Sequence, residues 1–319
     1  MLVFKIEERN IIKFIIFTIM KWSQALIDYQ NFLKIERGLS KNSVSNYCLD
    51  IKKLIKFLEL HEMEVSPIKI NTDTLQEFIY ETAKNINVRS QARLISGLNS
   101  FFNYLIFEDY RTDNPMELIE SPKIGRKLPD TLAIEEIDKI IATLDLSTPE
   151  GERNRTMLET LYSCGLRVSE LVNLKISDLF FEEGFIKVSG KGDKERFVPV
   201  ASSTIKYIDI YISDVRPHIN VQKSYEDFVF LNRRGKNLTR AMIFTIIKRA
   251  TEKAGIKKNI SPHTFRHSFA THLLQGGADL RAIQQMLGHE SITTTEVYMH
   301  LDRNDLANTI EKHHPRKDF

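Results

Sequence analysis

The chain of 319 residues is too long for one typical hydrophobic core and comfortable for two domains. With 42% hydrophobic and 27% charged residues it has an ordinary globular balance, which excludes the compositional extremes of fibrous and disordered chains. A net charge of +3 and a pI near 8.6 are shared with many proteins that bind no nucleic acid, so only the placement of the charge is informative.

The chain opens on an apolar run, Ile11 to Met20, broken by Lys13. The run is shorter than the ~20 residues a bilayer span needs, and it lacks the small-residue cleavage site of a secretory signal. Residues 1–20 therefore read as an N-terminal extension from a start codon set too far upstream, with an extra helix or strand packed on the first domain as the alternative. Residues 21–107 read as helical throughout. Trp22, Leu26, Tyr29 and Phe32-Leu33 repeat at helical spacing, and Ser40 to Ser43 cap a second helix whose apolar positions are Val44, Tyr47, Ile51, Leu54 and Leu58. Thr74–Tyr80 and Ala92–Phe107 give two more, enough for a small bundle.

Residues 108–128 break the pattern. Asn114-Pro115, Ser121-Pro122, Gly125 and Leu128-Pro129 punctuate a segment that also carries Lys123, Arg126 and Lys127, which predicts an extended basic linker. The second domain, 129–319, is again mostly helical, with one β region: FIKVS (185–189) and RFVPV (196–200) flank the hairpin punctuation of residues 190–194, and a further strand is expected around Asp178–Phe181. From Arg233 to Lys258 there are nine basic residues and one acid, Glu252; the stretch suits DNA contact and equally a solvated helix face. The two cysteines, Cys48 and Cys164, lie far apart and outside any CxxC, which argues against a disulfide framework and fits a reducing cytoplasm.

Four places carry chemistry. Gly165 stands where a left-handed cap ends the helix that starts near Arg153, and Arg167 opens the next helix with Glu170 one turn on. An arginine at a helix start suits a phosphate, and it also suits a plain surface pair with Glu170. Lys191 stands at the hairpin tip, where it can reach into a groove or be a solvated turn lysine. Ser261 and Pro262 begin a helix whose first turn holds His263, with Arg266 three residues on, so that a histidine and an arginine share its positive end. His263 and His267 have the spacing of a zinc-binding helix, but the acid and a cysteine cluster are missing, so no metal and no cofactor are assigned; His267 and His272 read as packing residues. Gly288 ends a helix, His289 begins a new segment, and Tyr298 follows nine residues later; a tyrosine on a helix is normally core.

Together, two arginines, two histidines, a lysine and a tyrosine make a cationic pocket around a nucleophile. That is what a phosphodiester needs: donors for oxygens that gain charge in the transition state, a hydroxyl that loses its proton on attack, and an acid for the leaving alkoxide.

The order and spacing of GLRVSELVNL with Arg167, SGKGDKERFVPV with Lys191, SPHTFRHSFATHLL with His263 and Arg266, and QQMLGHESITTTEVY with His289 and Tyr298 resemble the tyrosine recombinase/integrase family, most closely its bacterial Xer-type members. The resemblance runs through almost the whole chain from residue 21. Phe265 stands where leucine is common in the family, an apolar exchange that should spare the site.

The resemblance implies a mainly α protein with a small β-sheet (α+β). A helical SAM-like core-binding domain would precede the tyrosine-recombinase catalytic domain, the two closing around double-stranded DNA. It further implies that Tyr298 forms a 3′-phosphotyrosyl bond, that Arg167, Arg266, His263 and His289 stabilise the transition state, and that Lys191 is the general acid. His263 would also be a general base. Four protomers, as a homotetramer or with a second Xer-type recombinase, would act on two duplexes, with a septal DNA translocase as a further partner and the cytoplasmic nucleoid as the location. The task implied is resolution of chromosome dimers at dif-like sites. The C-terminal helix, about Asp302 to Lys312, resembles the segment that docks into a neighbouring protomer. A phage or mobile-element integrase shares the chemistry, and a non-catalytic DNA-binding regulator could share the scaffold; the complete set of site residues speaks against the second.

Overall fold

The computed structural model describes residues 20–125, 130–190, 194–288 and 303–316. The chain divides into two compact units, 1–127 and 128–319, each with its own core.

The described part of the first unit is a four-helix assembly: α1 (Trp22–Ile35), α2 (Lys41–Leu60), α3 (Thr72–Ala83) and α4 (Val88–Phe107). Each of the last three starts on a polar cap, the side chains of Ser40, Asn71 and Asn87 accepting from backbone N–H groups of Ser43, Thr74 and Ser90. The apolar stripes of these helices meet around Leu33, Ile51, Leu54, Phe78, Leu98, Phe101 and Phe102, all essentially excluded from solvent. Met20, assigned from sequence to the N-terminal extension, is buried in this core. A carboxylate enters it: Asp50 on α2, fully buried, accepts a two-pronged bond at 2.7 Å and 2.7 Å from Arg93 on α4. Gly97, one turn further, makes room for it, since a Cβ there would lie 2.6 Å from Asp50 Oδ2.

The segment expected as an extended linker starts folded. Arg111 is buried and donates to the carbonyls of Pro67, Ile68 and Ile70 at 3.2, 2.7 and 2.9 Å, and Met116 joins the core. The physical reason is that the loop 67–70 leaves three carbonyls pointing inward, and one guanidinium satisfies all three.

In the second unit α5 (Ile134–Ala142), α6 (Pro149–Ser163) and the short α7 (Val168–Val172) precede a three-stranded antiparallel sheet, β1 (Leu179–Phe180), β2 (Phe185–Ser189) and β3 (Glu195–Pro199), in the order β1-β2-β3. The strands stand where the alternation placed them. In the β2–β3 register Ile186 faces Val198, Val188 faces Arg196 and Lys187 faces Phe197. Ile186, Val188 and Val198 are buried, so this face of the hairpin turns to the core, and Arg196 shares it. After the sheet come α8 (Ser202–Ile210), α9 (Arg240–Lys253), α10 (Pro262–Gln275), α11 (Leu280–Leu287) and α12 (Arg303–His313). Their common core includes Leu158, Leu161, Tyr162, Phe230, Ile243, Phe265 and Phe269.

α12 packs on its own unit through Leu306 and Ile310. Beyond it His314 is fully buried against Tyr162 and Phe269, and Arg316 pairs with Glu159 at 3.0 Å and with Asp138. In the isolated chain the C-terminal segment thus has a seat on the same protomer. Among the described residues no helix is long and apolar enough to cross a membrane, and both cysteines are buried free thiols, one in each unit.

Candidate active site

Two turns of backbone bring the site together. The first is at the end of α6, where Gly165 adopts φ +56°. A side chain there would be strained by the backbone alone, and its Cβ would lie 2.4 Å from the Phe269 ring of α10, so glycine lets the two helices touch. Two residues on, Arg167 caps α7. Glu170 reaches back to it: one carboxylate oxygen accepts from the Arg167 backbone N–H at 2.7 Å, the other from Arg167 Nη1 at 2.8 Å. The second turn is at the end of α11, where Gly288 has φ +61° and a Cβ would press on Arg196 at 3.1 Å.

The sequence offered a plain surface pair of Arg167 with Glu170 as one reading. They are a pair, but the pair is not a surface one, because the Glu170 side chain is 1% exposed and serves more than one arginine. Arg196 forks onto the same carboxylate, Nη1 to Oε1 at 2.7 Å and Nη2 to Oε2 at 3.0 Å, and Arg266 Nη1 stands 3.8 Å from Oε2. Burial pulls the Glu170 carboxyl pKa up, but the bonds and charge of Arg196 and Arg167 outweigh it and leave the group held below its ordinary value. Arg266, deep in the cluster, has its pKa pushed down to about 9 by burial and by the neighbouring Arg167, and remains charged at neutral pH.

The same three arginines close the C-terminal end of α11. Its last carbonyls each receive a different guanidinium: Met286 from Arg196 Nε at 2.8 Å, Leu287 from Arg266 Nη2, and Gly288 from Arg167 Nη2 at 3.0 Å. Cations belong at this negative end of a helix, where carbonyls have no partner within it. Arg266 also donates to the Gly165 carbonyl at 2.7 Å, tying the two turns together.

Of the residues singled out from sequence, Arg167 and Arg266 therefore converge on one buried carboxylate and one helix end. His263 lies one turn before Arg266 on α10, exposed in the first turn. Lys191, His289 and Tyr298 lie outside the described residues. Their sequence neighbours Gly190 and Gly288 are described, and both adjoin the cluster: a Cβ on Gly190 would lie 3.7 Å from Arg196 Nη1 and 3.9 Å from Arg167 Nη1. His267 is exposed, whereas His272 is buried with Nδ1 2.7 Å from the Tyr162 hydroxyl. Among the described residues no three His, Cys, Asp or Glu side chains gather as metal ligands. Sequence reasoning passed over Arg196. Its signal was the strand alternation, which puts an arginine on the same face as Val198 and so demands a buried anion.

The description "Phage integrase family" fits residues 130–305, and the N-terminal SAM-like domain of phage integrases fits residues 26–109. The chain belongs to the phage integrase family. The tyrosine recombinase XerD of Staphylococcus saprophyticus is 42% identical over 290 residues, 91% of this chain and 98% of that protein. XerD of Listeria monocytogenes is 40% identical over the same share of both. Among solved structures, the XerH recombinase bound to its difH substrate before cleavage is similar with a TM-score of 0.65 at 26% identity, over 90% of this chain and 83% of that one. As a phage integrase family member of the tyrosine type, the chain is a site-specific recombinase that cleaves and rejoins DNA.

Proposed function

We propose that the arginine cluster seats the scissile phosphate and that Tyr298 attacks it. The phenol oxygen bonds to phosphorus, the bond to the 5′ oxygen breaks, and a 3′-phosphotyrosyl link keeps the bond energy. Arg167 and Arg266 face the non-bridging oxygens with His263 and His289 as further donors, His263 also takes the phenol proton, and Lys191 protonates the leaving 5′ oxygen. A 5′-hydroxyl from the partner duplex then attacks the phosphotyrosine and restores the tyrosine, so neither ATP nor a metal ion enters the balance.

The observation that carries this reading is the convergence of Arg167 and Arg266 on one site, with Gly190 and Gly288, the described sequence neighbours of Lys191 and His289, against the same cluster. The basic stretch supports a DNA partner: all nine basic residues from Arg233 to Lys258 are exposed, six of them outside the pairs Arg233–Glu150, Lys248–Glu252 and Lys258–Glu136. The XerD likeness favours a dif-like site, chromosome-dimer resolution in the nucleoid, and work as a tetramer, alone or with a second Xer-type recombinase and a septal translocase.

A nicked dif-like duplex without magnesium tests the chemistry. The chain should form a protease-sensitive band that survives denaturing electrophoresis, and Tyr298→Phe should lack it while binding the duplex as tightly. A normal adduct yield from Tyr298→Phe would remove Tyr298 from the role.

A further inference from the structure

All three arginines bond the protein through both Nη atoms, but among the described residues only Arg196 places both on Glu170 and engages its Nε as well. Both Nη atoms are engaged by Glu170 and Nε by the Met286 carbonyl, so its planar fork is directed wholly into the protein. It comes from the hairpin, opposite Val188, while Glu170 comes from α7 and Met286 from α11. One side chain therefore fastens the strand that follows the hairpin tip to the helix carrying Arg167's partner and to the helix end that Arg167 and Arg266 also hold.

Its charge matters as much as its reach. Three guanidiniums surround one carboxylate, so the cluster carries two positive charges in excess. If Arg196 were neutral, Glu170 would be shared by two arginines, and Arg167 could turn both Nη atoms onto it. That rotation would withdraw Nη2 from the Gly288 side and cancel charge needed by a phosphate.

We propose that Arg196 is a positioning residue for the strand-cleavage step, saturating Glu170 so that Arg167 and Arg266 keep their charge and aim for the scissile phosphate. The inference rests on the reading of those two arginines as phosphate ligands.

Arg196→Met keeps an unbranched apolar stem and the strand burial but loses charge and fork; Arg196→Lys keeps the charge alone. On the nicked dif-like duplex, at saturating DNA, Arg196→Met should form the covalent complex about 10- to 100-fold more slowly, the size expected when a supporting partner of an active group is removed. Arg196→Lys should recover only part of the rate, because an ammonium cannot make the two-pronged bond. The decisive comparison replaces the scissile phosphate by a neutral methylphosphonate. There the charge to be met is gone, so the loss in Arg196→Met should shrink to a few-fold. An equal loss on both substrates, at matched unfolding temperature, would mean a merely structural role and overturn the proposal.

Binding separates this from failure of the function itself. If the wild-type chain forms no Tyr298-dependent complex, the cleavage reading falls, yet the preference for phosphate over methylphosphonate duplex still reports on Arg196. That preference should drop about tenfold in Arg196→Met, roughly one charge-assisted hydrogen bond; an unchanged preference refutes the proposal.

Discussion

Glu170→Ala should destabilise the second unit selectively. The lost carboxylate is 1% exposed and accepts four hydrogen bonds, two from Arg196 at 2.7 and 3.0 Å and two from Arg167 at 2.8 and 2.7 Å, with Arg266 at 3.8 Å. Truncating one partner of a buried ionic network costs roughly 3–5 kcal/mol, mainly because the remaining charges stay buried without a counterion. Arg167 is 30% exposed and can recruit water, which pulls the expectation to the low end, about 3 kcal/mol. For a unit of this size a change of about 3 kcal/mol lowers Tm by roughly 6–12 °C.

The molecule supplies its own control. The single tryptophan, Trp22, is in the first unit, its Nε1 donating to the Val65 carbonyl at 2.7 Å. Calorimetry should show the transition of the second unit shifted, while Trp22 fluorescence unfolds as in the wild type. A shift below about 2 °C, or an equal shift in the tryptophan signal, would refute the argument. The pH dependence has a defined sign. The folded pKa of Glu170 lies below its ordinary 4.5, so its stabilisation is fully present above that value and is lost as pH falls through the depressed folded value. The gap in Tm between wild type and Glu170→Ala should therefore hold at neutral pH and narrow in acid, below the ordinary carboxylate range.

Two further outcomes are expected. Lys191→Ala should slow cleavage of an ordinary duplex by about 10²–10⁴-fold but much less on a duplex with a 5′-thiolate leaving group, which needs no proton; equal losses would dismiss the lysine as the acid. Gly97→Ala should act on the other unit: the usual gain from alanine in a helix is overcome by a Cβ 2.6 Å from the Asp50 carboxylate, for a net loss of about 1–3 kcal/mol visible in Trp22 fluorescence and not in the second transition.

Local signals in the sequence were enough for the elements. Ser40 and Asn71 cap helices that the apolar spacing had already outlined, and β2 ends at Ser189 and β3 begins at Glu195, on either side of the segment expected to separate them. The fourth helix starts at Val88 on its Asn87 cap, ahead of the Ala92 expected from periodicity, because its first turn carries polar Arg89, Ser90 and Gln91 and shows no stripe. What spacing could not show were partnerships distant in the chain. Arg111 belongs to the first unit through carbonyls some forty residues earlier, |i−j| 41 to 44, and nothing near it in sequence marks them. Within the site, Arg167 and Arg266 were found because each opens or follows a helix start. Arg196 and the full reach of Glu170 were not, because a carboxylate three residues from an arginine looks complete as a local pair until a strand from residue 196 is folded over it.

The arginine-capped end of α11 has a thermodynamic consequence. Free in water, each arginine side chain holds about 2 kcal/mol of rotamer entropy, which a phosphate would have to remove on binding. Here Arg167 and Arg266 have already surrendered theirs to the Leu287, Gly288 and Gly165 carbonyls during folding. Under the proposed function a phosphate would meet donors that are preorganised, and the ordering cost would fall on protein stability instead of on DNA affinity. It follows that loosening this helix end can leave the fold intact and still impair strand cleavage, with the defect surfacing only when DNA arrives.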